Sequence, residues 1–197
     1  MEAIMSLRDR KKQRQQTHIQ ESALELFWQG SYSKTSVEQI AQAAEIAPAT
    51  FFNYFPTKES VVFSALFDPH LLAWLRQQPT DICFIDALYE VSSTLLGSLP
   101  KEAVVVKERC FSLINKTPEL RDGLAKIVSV KGIDLLALLI AERSNRPPSD
   151  LQVRVLAGSV AGVAIAVLLQ SEDCTATHCI EQFCHALTEL GPRLREL

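Results

Sequence analysis

The sequence predicts an all-α chain of about nine helices, and three observations lead there. Apolar residues recur three and four apart through most of the chain, as in Ile19, Ala23, Leu26 and Phe27. Almost no stretch alternates with the period of two that a half-buried strand requires. Prolines break the periodic segments at Pro48, Pro56, Pro69, Pro79, Pro100, Pro118 and Pro147-Pro148. Internal repeats and low-complexity segments are absent.

The first helix is expected from about Gln15 to Gln29, with Gly30 placed for a left-handed cap. Tyr32 falls in the following loop. Thr35 or Ser36 can cap a second helix, with Glu38 or Gln39 three residues on completing a capping box, and Val37, Ile40 and Ala41 forming its inner face. Ala44-Glu45-Ile46 reads as a tight turn, and Pro48 suits the first turn of a third helix. Phe51 and Phe55, four apart, should anchor that helix as core. Pro56 ends it, Thr57 caps a fourth, and Glu59 lies favourably in the new first turn. A helix over His70–Gln77 follows, and later ones are expected at about 80–98, 101–115, 118–143, 149–171 and 173–195.

Composition bounds the class. With 197 residues, 47% hydrophobic and 22% charged, the chain is globular, and long enough for a small domain joined to a larger one. The net charge of −3 is no mark of a nucleic-acid binder, but its distribution is uneven. Residues 8–14 carry five positive charges against one negative, whereas residues 15–60 set Lys34 and Lys58 against five glutamates. The basic segment is therefore the expected source of attraction to phosphate, although a solvated leader has the same composition. The charged N-terminus does not read as a secretory leader. Val155–Gln170 is the longest uncharged apolar run, too short for a bilayer and read as a buried helix. Five cysteines without a disulfide-framework pattern fit a reducing cytosol.

Residues 35–59 are the most specific stretch: two short helices joined by a tight turn, the helix-turn-helix form whose second helix fits the DNA major groove. In full, Leu26-Phe27, Gly30, Tyr32, Thr35 to Ala44, Thr50 to Phe55 and Lys58-Glu59 together resemble the DNA-binding domain of TetR-type (tetracycline-repressor-like) bacterial regulators. Thr117-Pro118-Glu119-Leu120-Arg121 is similar to the helical domain of an actinobacterial subgroup. The resemblance implies a homodimer that places its third helices in successive major grooves of a palindromic operator. It also implies a cytoplasmic repressor, with a small-molecule effector in the larger domain that releases the DNA. Residues 1–14 then read as a basic flexible arm, 15–60 as the DNA-binding domain, and 61–197 as the ligand-binding and dimerisation domain. Three positions depart from the family pattern: Glu45 for the turn glycine, Ala47 for serine and Phe52 for tyrosine.

Asn53 is the candidate base reader, because its amide pairs bidentately with adenine. Pro48 and Ala49 suit thymine methyls, and Thr50 suits base or phosphate. Thr35, Ser36, Tyr54 and Lys58, with Arg10, Lys11, Lys12 and Arg14, are assigned to the phosphate backbone. Ile180, Phe183, Leu187, Leu190 and Leu194 form an apolar stripe along the last helix. The helix before it carries Ala157, Gly158, Ala161, Gly162 and Ala166, which permit close helix approach. These two helices are the expected subunit interface, although burial within one subunit accounts for the same pattern.

Phe84, Leu88, Tyr89, Leu95, Cys110, Phe111, Leu136 and Leu139 suit an apolar effector or a plain core, with Arg109 or His70 as a polar handle. Cys174, His178, Glu181 and His185 share one helical face at a spacing a metal would accept. Ordinary surface polarity explains them as well, and neither a metal nor a cofactor is expected. No nucleophile–base pair, phosphate loop or paired carboxylates stand at a recognisable spacing, so an enzyme is not expected. The alternative function is a helical protein-interaction module whose degenerate motif no longer binds DNA.

Overall fold

The computed structural model describes residues 7–64, 69–98, 101–170 and 175–194. Among them are helices α1 (Leu7–Gln29), α2 (Val37–Ala43), α3 (Pro48–Phe52), α4 (Lys58–Phe63), α5 (Pro69–Gln77), α6 (Phe84–Ser98) and α7 (Lys101–Lys116). They continue with α8 (Pro118–Ile127), α9 (Ile133–Ser144), α10 (Leu151–Leu168) and α11 (Ala176–Leu194), and no strand occurs among the described residues. A π-helical turn, Val128–Gly132, joins α8 to α9, so the helix expected over 118–143 is one run with a bulge inside it.

The chain divides into two compact units, Met1–Ala65 and Leu66–Leu197. α4 therefore belongs with the first three helices, and the division falls beyond the boundary expected at residue 60. In the first unit Ile19, Ala23, Ile40, Ala41, Phe51, Phe55, Val61 and Val62 are buried at 1% exposure or less. The expected core phenylalanines lie together, with Phe51 and Phe55 ring centroids 5.8 Å apart.

Two local expectations are corrected here. α1 begins at Leu7, so residues 7–14 are helical where a flexible arm was expected, and residues 1–6 lie outside the described residues. Arginine, lysine and glutamine are good helix formers, and a helix already nucleated by its apolar half extends through them. Gly30 has no left-handed conformation. Its amide bonds the Leu26 carbonyl at 3.0 Å, and a Cβ there would sit 3.2 Å from that oxygen, so close approach rather than φ favours glycine.

In the second unit, Phe84, Leu88 and Val91 of α6 pack with Leu139 and Ile140 of α9, Val153, Ala157 and Val160 of α10, and Leu187 of α11. Charged side chains act there as remote caps for helix ends. Glu108 of α7 accepts the α11 amides of Ala176 (2.6 Å) and Thr177 (3.1 Å). Arg121 donates to the Leu169 carbonyl at the end of α10 (2.9 Å). Arg143 donates to the carbonyls of Gln78 (3.1 Å), Pro79 and Ile82 (2.9 Å). α10 is long and apolar enough by length and composition to cross a membrane; it buries Val153, Ala157, Val160, Ala161 and Val167, 28% of its length, where a buried helix was expected. Cys179 is disulfide-bonded, which departs from the reducing cytosol that the cysteine pattern fits, while Cys83, Cys110 and Cys184 are free.

Candidate nucleic-acid interface

Ser36 provides the N-cap of α2. Its hydroxyl accepts the Gln39 amide at 3.3 Å, while the Gln39 side chain accepts the Ser36 amide at 2.8 Å. Both partners of the expected capping box are thus in place, with Gln39 in the third position. At the other end, Glu45 takes φ 52°. Its amide bonds the Gln42 carbonyl (3.1 Å) and the Ile46 amide bonds that of Ala41 (2.9 Å), the two bonds of a Schellman motif. The turn therefore keeps the left-handed geometry glycine favours, and Glu45 adopts it at a cost of about 1 kcal/mol.

α3 follows after only four residues. Ala47 is its N-cap, with no side chain able to bond the helix, and Pro48 starts the helix. Phe51 points inward, fully buried, and fixes the helix from behind. Pro48, Ala49 and Asn53 are exposed, Thr50 and Tyr54 are half-buried, and Asn53 is the C-cap of α3. Phe52 is 53% exposed, with its ring edge-on to Phe51 at 5.4 Å. The sequence marks Phe52 only as a departure from the family's tyrosine. Its position next to Asn53, on a helix whose inner face Phe51 already occupies, was the signal that it faces outward.

The residues assigned to phosphate separate into two groups. Lys11, Lys12 and Arg14 are exposed along α1, and the side chain of Arg10 lies outside the described residues. Thr35 is 7% exposed, and its hydroxyl donates to the Ser31 carbonyl at 2.9 Å. Lys58 is half-buried and donates to the carbonyls of Tyr32 (2.8 Å) and Thr35 (3.2 Å). Its ammonium also lies 4.1 Å from the Tyr32 ring centroid. The Tyr32 hydroxyl in turn donates to Glu59 at 2.8 Å. Burial raises the Glu59 pKa, but its own backbone amide, the Tyr32 and Thr57 hydroxyls and the Lys58 charge outweigh that and hold the carboxyl below its ordinary value. At the far end of α4, Gln20 of α1 donates to the Val61 carbonyl (2.8 Å) and the Ser64 hydroxyl (3.0 Å).

In the second unit, Asn115 of α7 is 2% exposed, and neither its amide nitrogen nor its oxygen has a partner among the described residues. The proposed handle Arg109 is exposed instead, and the His70 side chain lies outside the described residues. Tyr89 is 38% exposed, whereas Phe84, Leu88, Leu95, Cys110, Phe111 and Leu139 are buried. Burial pushes the Cys110 thiol up to about 12, so it stays protonated and unreactive. Cys174 lies outside the described residues, while His178, Glu181 and His185 are exposed, with His178 Nδ1 4.0 Å from Glu181. Among the described residues no group of three or more such side chains converges on a metal site.

The model for bacterial regulatory proteins of the tetR family matches residues 19–65, and that for the MftR C-terminal domain matches residues 83–195. The HTH-type transcriptional regulator TcmR of Streptomyces glaucescens is 32% identical over 66% of this chain and 66% of its own length. The putative mycofactocin biosynthesis transcriptional regulator MftR of Mycobacterium tuberculosis is 25% identical over 83% and 84%. Among solved structures, Thermus thermophilus FadR in complex with lauroyl-CoA aligns with a TM-score of 0.51 at 19% identity, covering 89% of this chain and 92% of that one. Native NalD of Pseudomonas aeruginosa aligns with a TM-score of 0.53 at 21% identity, covering 92% and 96%. These two likenesses establish the fold.

Proposed function

The chain belongs to the TetR family and is a DNA-binding regulator of transcription; from that premise we propose a dimeric repressor that a small, mainly apolar ligand releases from a palindromic operator. The observation that carries this reading is the outward face of α3. Pro48, Ala49, Phe52 and Asn53 are exposed on a helix whose opposite side is anchored by Phe51. Asn53 offers an amide for adenine, and Phe52 and Ala49 offer apolar surface for thymine methyls. Lys11, Lys12 and Arg14 supply sequence-independent attraction along α1.

Dimerisation is supported by α10 more than by the last helix. Leu187 of the α11 stripe is fully buried within the subunit, and Phe183 packs against that same core. On α10, Leu151 (77% exposed), Val155 (42%), Gly158 and Gly162 recur at spacings of four, three and four. A Cβ added at either glycine would meet nothing within 4 Å, so the face is open to a second helix. The side chains of Leu190 and Leu194 lie outside the described residues.

In the larger unit, the unpaired Asn115 amide favours an effector with one polar group on an apolar body, because such a group would satisfy an amide that burial has deprived of water. Release follows if the effector changes the separation of the two α3 helices, which must reach major grooves about 34 Å apart. Selection of bound fragments from genomic DNA, with sedimentation of the complex, tests the reading. A palindromic site carrying two chains is expected. Failure to enrich any fragment would favour the interaction module instead.

A further inference from the structure

We infer that Lys58 is a positioning residue for DNA binding and not a phosphate contact: it pins the turn that leads into α2. The inference rests on the DNA-binding reading above. An ammonium has three N–H donors and no acceptor. Two of those on Lys58 are directed at the carbonyls of Tyr32 and Thr35, and the Tyr32 ring covers the group at 4.1 Å. Two of its three N–H donors, and the side that faces the Tyr32 ring, are thus already engaged within the protein.

What Lys58 holds is the short connection from α1 to α2. Within it the Thr35 amide and hydroxyl both bond the Ser31 carbonyl, at 3.1 and 2.9 Å. The Tyr32 ring packs edge-on against Phe27 at 5.1 Å, and its hydroxyl reaches Glu59. Lys58 and Glu59, adjacent on the first turn of α4, therefore grip the two ends of Tyr32: its carbonyl and ring, and its hydroxyl. Ser36, the α2 N-cap, is the next residue after the Thr35 carbonyl that Lys58 binds. The turn that leads into α2 is thus tied to the first turn of α4 by both Lys58 and Glu59.

Two measurements test this. Free wild-type protein is treated with a limiting amine acylating reagent and mapped by mass spectrometry. Lys58 is expected to react at least about tenfold more slowly than the exposed Lys34, and duplex DNA should change its rate little. A Lys58 that reacts as fast as Lys34 and becomes protected only on DNA overturns the inference, and this arm needs no variant. The second arm compares Lys58→Met with wild type across a salt series, on the duplex that wild type itself selects from a random library. Affinity is expected to fall about tenfold, with the slope of log affinity against log salt unchanged. A slope shallower by about 0.9 for each lysine removed would make Lys58 a phosphate contact after all. If wild type selects no duplex, the DNA reading itself has failed, and that is known before any variant is made.

Discussion

Polar side chains hold the backbone of the first unit in register. Ser36 and Gln39 close one helix end, Thr57 and Ser60 another, and Lys58, Glu59 and Gln20 tie α4 to the helices before it. The second unit is assembled largely by apolar packing, with Glu108, Arg121 and Arg143 reaching across to cap distant helix ends. It also buries an amide, Asn115, that has no partner among the described residues. On the proposed function the first unit is a reading head that presents a few atoms at fixed positions, and the second is the unit that takes the effector. Rigidity suits the first. An unmet polar group in an apolar surround suits the second, because its satisfaction is free energy available to a ligand.

The sharpest way to break the first half of this comparison is Phe51→Ala. The ring is fully buried behind α3, and its loss is expected to cost about 3–5 kcal/mol and abolish DNA binding. Urea unfolding followed by anisotropy checks both, and retained binding with a small stability loss would mean that α3 needs no anchor. Asn115→Leu probes the other unit, with the opposite sign. Removing an unpaired buried amide is expected to raise stability by about 1–3 kcal/mol. A lower midpoint would show that buried water already completes the site.

Glu45→Gly should add about 1 kcal/mol by relieving the left-handed residue. Thermal melts decide it, and no gain would place compensating contacts at the glutamate. The smallest effect is on pH dependence. Because the folded-state pKa of Glu59 is depressed, its stabilisation is fully present above the unfolded value of 4.5 and is lost as pH falls through the folded value. The stability gap between wild type and Glu59→Gln should therefore close in acid. A gap that stays constant from pH 7 to 3 would remove the charge from the account.

How much could be read without coordinates follows the same division. Ser36, Gln39, Pro48 and Thr57 act within four residues of themselves, so type and spacing are sufficient to place them. The left-handed turn at Glu45 was readable as a departure from glycine, because the turn geometry outweighs the residue standing in it. Thr35 and Lys58 show the reverse. Both look like phosphate ligands locally, and only the return of α4 to the 31–35 turn reveals the internal partners. The second unit offered only periodicity, which places Phe111 and Leu187 inside but is silent on the π turn at Val128. Asn115 could have been found: it falls four residues after Phe111 and directly after Ile114, inside the apolar row of α7.

The central claim is that α3 reads sequence while α1 supplies charge. Fluorescence anisotropy across a salt series, on the selected duplex and on a scrambled one, with wild type and Asn53→Ala, tests it most directly. Wild type is expected to show a steep negative dependence of log affinity on log salt on both duplexes, and tighter binding to the selected one. Asn53→Ala should lose about 1–3 kcal/mol on the selected duplex and almost nothing on the scrambled one. Equal losses on the two, or no preference by wild type, would contradict the claim.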